Sequence, residues 1–374
     1  MATQTPTTTR SVNPPDSVGS GIRVRIAVGF TLIAVVASLV GLVASGGSYE
    51  PAPNGLPDSG PFVGWLLPVL GAIGFGAAMA CIGWLLLAGF LDPSAGKKVV
   101  SKRGRAAMLR ASGAAAIWCV ISLIASVFTL ANILGVDLAT AAAPGTFTTY
   151  AWDVSDVRTL LISAVLAAAV AIGAVLSVSL TGTTIWLALA LVAVAAPSTA
   201  GHAVGLGDHG LALVNSVAHA VAATLWVGGL IALGATVWPK AQTVGVAAQR
   251  FGYLAIASVV ILTASGVVNA YVRLGAPADL FTSGYGRLVV AKTLLLIALI
   301  ATAAWIRRRL LPNLDGEQPR RTFAKVAALE LTLMSIATGL GVALSLTAPT
   351  RVAVQFATQA EALLGFEFPA APTV

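Results

Sequence analysis

The sequence predicts an all-α fold, a polytopic transmembrane helical bundle of about nine crossings. Three observations carry that prediction. Hydrophobic residues make up 57% of the chain and charged residues only 10%, where a soluble domain has roughly 25% charged. Mean hydropathy is +0.90. The apolar residues also fall in runs of about twenty, the length a helix needs to cross ~30 Å of hydrocarbon. Within lipid the backbone must satisfy its own hydrogen bonds, so each run becomes a helix.

Residues 1–22, rich in Thr, Pro and Ser, read as a disordered cytoplasmic tail. The first apolar run starts late and lacks a small-residue cleavage site, so it is expected to be a retained span. The expected spans are Val24–Ala44, Trp65–Leu91, Leu109–Leu134, Arg158–Leu180, Thr183–Ala200, Leu211–Val237, Phe251–Val272, Leu288–Ile306 and Thr322–Leu346. The turn at Thr181–Gly182 between the fourth and fifth is the weakest of the breaks. The bundle thus occupies residues 23–347. In the tail, 348–374, Val354, Phe356, Leu363, Leu364, Phe366 and Phe368 mix with polar residues, which suits an interfacial helix.

Orientation follows from Lys and Arg. With the N-terminus in the cytoplasm, the inner segments hold Arg10, Arg23 and Arg25, then Lys97, Lys98, Lys102, Arg103, Arg105 and Arg110. They also hold Lys240 and Arg250, then Arg307, Arg308, Arg309, Arg320, Arg321 and Lys325. Of the 22 basic residues this leaves only Arg158, Arg273, Arg287, Lys292 and Arg351. The formal charge of +8 is therefore a topology signal, and a nucleic-acid partner is excluded. The C-terminus falls outside. The two long outer segments, Gly46–Gly64 and Gly135–Val157, lack Lys and Arg. They read as lids over the outer mouth, with Asp137, Asp153 and Asp156 drawing in cations.

All three histidines, His202, His209 and His219, fall within the stretch from Pro197 to Leu230. It reads as a helix end, a short loop and the next helix, with His202 and His209 at the surface beside Asp208. His219 would lie roughly 12–16 Å down the following helix at ~1.5 Å per residue. Asn215, His219 and Trp226 share one helix face, and Gly228–Gly229 below them permits a close helix approach. Imidazole suits Cu, Zn, Fe or Ni, so His202, His209, His219 and Asp208 are candidate metal ligands. The alternative for His219 is a packing hydrogen bond to a neighbouring helix. Asn269 follows Ser265 and precedes Arg273 by four residues each, and Tyr285, Arg287 and Lys292 sit at the outer end of the eighth span. Lys292 would be ~8 Å deep. These polar side chains are candidate supports, and Glu330 is a carboxylate well inside the ninth span. Met79, Cys81 and Cys119 read as core residues with no disulfide implied. Walker, nucleophile-elbow and paired-carboxylate patterns are missing, so the chain reads as a transporter and not an enzyme.

At these residues the chain resembles a known family. Gly201–His202–Ala203, His219 and Trp226–Leu230, followed by Arg250–Leu274 and Tyr285–Lys292, are similar to the CopD copper-resistance membrane proteins. The resemblance covers roughly residues 150–347 and is looser over the first four spans. It implies copper movement across the bacterial plasma membrane, inward, often in company with a periplasmic CopC-like copper-binding protein. In actinobacteria such a domain is often fused to a CtaG-type cytochrome-oxidase-assembly domain. Leu363–Val374 resembles the linker into it, so a separate CtaG-like partner, or a longer chain, is expected. Two rival functions stay open: a membrane cytochrome with His202 and His219 as axial ligands of haem b, and a non-transporting oxidase-assembly scaffold.

Overall fold

The computed structural model describes residues 17–52, 56–92, 98–200, 209–237, 241–305, 308 and 317–350. Among them no strand forms, and twelve α-helices follow one another: α1 (Ser17–Ser45), α2 (Pro61–Leu86), α3 (Lys102–Leu134), α4 (Leu138–Ala142), α5 (Pro144–Tyr150), α6 (Ser155–Leu176), α7 (Leu180–Ala195), α8 (His209–Val237), α9 (Ala241–Arg273), α10 (Asp279–Thr282), α11 (Gly284–Trp305) and α12 (Glu317–Leu346). Nine of these, all but the short α4, α5 and α10, are long and apolar enough to cross a membrane. Each coincides with one expected span.

Local chemistry sets the boundaries. The second span starts at Pro61, four residues before the expected Trp65, because proline is tolerated where the N–H has no helical partner. That span closes in a π-helical turn, Leu87–Leu91. The break between the fourth and fifth spans falls upstream of Thr181–Gly182. The Ser179 side chain accepts the Gly182 N–H at 3.0 Å, so helix α7 is already under way at that dipeptide. Gly135 ends α3 in the left-handed region, φ 64°. A methyl there would also stand 2.8 Å from the Pro57 carbonyl oxygen, so two constraints require glycine.

Helix α2 lies at the centre, touching α1, α3, α7, α8 and α12. Its fully buried Ile82 and Leu85 join Met108, Trp118, Val170 and Trp226 in the main core. Cys81 is buried and Cys119 partly so, both as free thiols, as expected. Helices α2 and α8 cross closely, where a methyl on Gly228 would stand 2.7 Å from the Met79 carbonyl oxygen and 2.9 Å from the Gly83 nitrogen. Small residues let the backbones touch, which is how helices associate where lipid removes the hydrophobic drive. Val40, Val165 and Leu294 are more than half exposed on the outside of the bundle, as a lipid-covered face requires.

The basic loops meet at one end. Val100 donates its N–H to the Val178 carbonyl at 3.0 Å, beside an antiparallel bridge of Val99 with Ser179. Arg105 donates to the carbonyls of Ala174, Val175 and Ser177 at the end of α6, and Arg250 to those of Phe90 and Asp92. These cations therefore cap helix C-termini as well as marking a side.

At the far end, 135–157 is a packed segment, as expected, but over a different part of the bundle. Its buried Ala141, Ala151 and Val157 seat it on residues of α2, α3 and α6, such as Val63, Phe128 and Leu130. Nor is Asp137 a free cation lure, since its carboxylate caps α4, accepting from the Thr140 N–H at 3.0 Å and the Thr140 hydroxyl at 2.6 Å. The Tyr49 hydroxyl donates to Asp58 at 2.6 Å, and Gly60 N–H donates to the same carboxylate at 3.0 Å. The tyrosine bond first, then the backbone bond, hold Asp58 below its ordinary 3.8, and the bond to Asp58 raises Tyr49 above 10.0. The clasp is thus complete between those two ordinary values. It is lost as pH falls through the depressed Asp58 value or rises through the raised Tyr49 value. Tyr49→Phe is expected to lower the thermal midpoint at pH 7 and to lower it less at pH 3, nearer the depressed Asp58 value. An equal difference at both pH values would show that the clasp contributes nothing.

Candidate functional site

On α8, Asn215, Ser216 and His219 fall within one turn, and their partners come from α9, about fifty residues later. Asn215 Nδ2 donates to the Ser265 carbonyl at 2.7 Å, and His219 Nδ1 lies 2.8 Å from Ser265 Oγ. The Ser265 hydroxyl reaches the Leu262 carbonyl at 3.2 Å. With its single proton so placed, serine must accept, and His219 Nδ1 carries the hydrogen. The Nε2 lone pair is then free, with no partner among the described residues. A ring nitrogen held by its neighbour in this way is the usual support of an imidazole ligand.

Above it, Arg273 at the end of α9 reaches back into the bundle. Its NH1 approaches the Tyr285 hydroxyl at 3.5 Å and its NH2 the Ser216 hydroxyl at 3.4 Å, while Ser216 faces Asn269 Oδ1 at 3.5 Å. Lys292 on α11 is close enough to both His219 and Arg273 to act on them electrostatically. Its Nζ would stand 3.2 Å from a methyl on Gly341 of α12, so that glycine makes room for the ammonium. Because α11 begins at Gly284, Lys292 starts ~12 Å from the helix end, ~4 Å deeper than the sequence suggested.

The structure thus joins Asn215, His219, Asn269, Tyr285 and Lys292 in one polar centre, together with Ser265 and Arg273. It leaves two of the expected supports elsewhere. Trp226 is buried in the main core, two turns below His219. Arg287 turns the other way and donates to the Ala44 carbonyl of α1 at 3.2 Å, because its position on α11 faces that helix end. Ser216 and Gly341 were not singled out from the sequence. Ser216 sits three residues before His219, on the same side of the helix, which was a usable signal, whereas nothing local marks Gly341.

His202 and Asp208 lie outside the described residues, as does the side chain of His209, which opens α8. Among the described residues no group of three or more His, Cys, Asp or Glu side chains could hold a metal ion. Met79 is buried, with its sulfur 3.9 Å from the Thr338 hydroxyl. Glu330 is buried on α12, and among the described residues no ion pair joins it to Lys292.

Fold and centre together define a multi-pass helical membrane protein with a polar, cation-bearing centre between α8, α9 and α11. Residues 245–344, about a quarter of the chain, match the model of the family described as Copper resistance protein D. The match runs from the start of α9 nearly to the end of α12 and so contains Ser265, Asn269, Arg273, Tyr285 and Lys292. Asn215 and His219 precede it. No curated protein and no solved structure gave a match.

Proposed function

We propose that the chain carries copper ions across the bacterial plasma membrane, inward, with His219 as the imidazole ligand within the bundle. The observation that carries this reading is the His219–Ser265 bond, which orients the ring and leaves Nε2 able to bind metal. His202, His209 and Asp208 would act as capture groups at the mouth, and a CopC-like protein would deliver the ion to them. The side bearing the basic loops would face the cytoplasm. No nucleotide is needed, because a potential of about 100 mV, negative inside, contributes ~2.3 kcal/mol per charge moved inward. That supports accumulation of a monovalent ion by roughly 40- to 50-fold.

The test is flux in right-side-out vesicles holding the full chain, under an imposed inside-negative potential. Copper content should exceed that of empty vesicles and collapse when the potential is discharged. Copper at the level of empty vesicles, or leaving them, would overturn the reading, as would a Soret band in the purified protein.

A further inference from the structure

The polar centre is built almost wholly from donors. Lys292 Nζ has no hydrogen-bond acceptor among the described residues. The Tyr285 oxygen accepts from Arg273, which leaves its own O–H proton unspent on a side chain only 3% exposed. Asn269 accepts through Oδ1, leaving its amide hydrogens unspent. Two cations, Arg273 and Lys292, lie close enough to act electrostatically on each other and on His219.

Among the described residues no carboxylate is placed to neutralise them. Spans α2, α7 and α8 contain no charged residue apart from the histidines, and neither does the spanning part of α1, Ala27–Ser45. Glu330 is eleven residues along α12 from Gly341, ~16 Å at 1.5 Å per residue. Asp279 is spent on the N–H groups of Gly275 and Ala276 and on the Thr350 hydroxyl. Like charges in a medium of low dielectric repel strongly, and an unpaired buried charge is costly. The cheapest remedy is an anion from outside.

We propose that Arg273, Lys292, Tyr285 and Asn269 bind a small monovalent anion, a halide or a carboxylate, and that copper reaches His219 paired with it. Unspent donors beside one free imidazole lone pair suit such a pair: the metal on Nε2, its anion on the donors. The anion site stands on the geometry alone, and the pairing rests on the copper reading above.

The experiment uses the full chain, purified in detergent without metal, at fixed pH and ionic strength in sodium chloride, sodium acetate or the sodium salt of a bulky sulfonate. The thermal midpoint should rise with the logarithm of chloride or acetate concentration relative to the sulfonate. A rise in one salt alone assigns the anion as halide or as carboxylate. Lys292→Met should abolish the rise and, in sulfonate, be at least as stable as the wild type, since it removes an unpaired, half-buried charge. Tyr285→Phe, which keeps the ring, should weaken it. Equal wild-type midpoints in all three salts, or a rise that survives in both variants, would overturn the site. Copper affinity in the same three buffers tests the pairing, and an affinity independent of the anion would overturn that half while leaving the site intact.

Discussion

His219→Ala protein is expected to insert and fold yet bind copper at least ~100-fold more weakly than the wild type, since losing even a supporting group of a metal ligand costs 10–100-fold. Abundance should change little. The His219–Ser265 bond is one hydrogen bond, worth ~1 kcal/mol of stability. Ser265→Ala is expected to give an intermediate loss of about tenfold, because it frees the ring without removing it. The graded pair separates ligand from packing group. A structural histidine would show its loss in the thermal midpoint and leave copper binding unchanged. Calorimetric titration of purified protein, with the midpoint measured on the same samples, reads both. Wild-type copper affinity in His219→Ala would end the proposal that this histidine is a ligand.

Gly228→Val is expected to be strongly damaging to the bundle. Its added atoms meet the backbone of α2 at Met79 and Gly83, and backbone cannot swing aside as a long side chain can. The helices must part along the packed α2–α8 seam. We expect a loss of about 3 kcal/mol or more, the upper range for overpacking. Gly266→Ala on α9 is the contrasting case, with nothing within 4 Å of the added methyl. There the helix loses only the entropic penalty of glycine, and stability should rise by up to ~1 kcal/mol. Thermal midpoints of the two variants, measured in one detergent, decide the matter. Similar midpoints would show that the close approach at Gly228 does not hold the bundle together.

The candidate centre was half legible in the sequence. Asn215 and His219 four residues apart, and Ser265, Asn269 and Arg273 at four-residue steps, announce two polar stripes on apolar helices. Such stripes must face protein and not lipid, which placed them inside the bundle. That the two stripes meet each other was not readable, and neither was the contrast between Arg273, which turns into the centre, and Arg287, which turns to Ala44. Spacing along a helix fixes a face but is silent about the neighbour that the face meets. The lids illustrate the same limit. Gly135–Val157 was identified as a packed segment from composition, yet its buried Ala141, Ala151 and Val157 seat it over α2, α3 and α6.

By itself, the sequence determined the nine crossings, the basic end of the bundle and the placing of every histidine within one short stretch. Those are one-dimensional properties: run length against bilayer thickness, charge against side, and residue order. Only the tertiary structure decided that α8 pairs with α9 through Ser265, that Gly83 and Gly228 bring two backbones together, and that Lys292 shares its surroundings with Arg273 and His219. Each of these joins residues far apart in the chain, and the choice among helix neighbours is made by shape and by the satisfaction of polar groups, neither of which exists until the helices are packed.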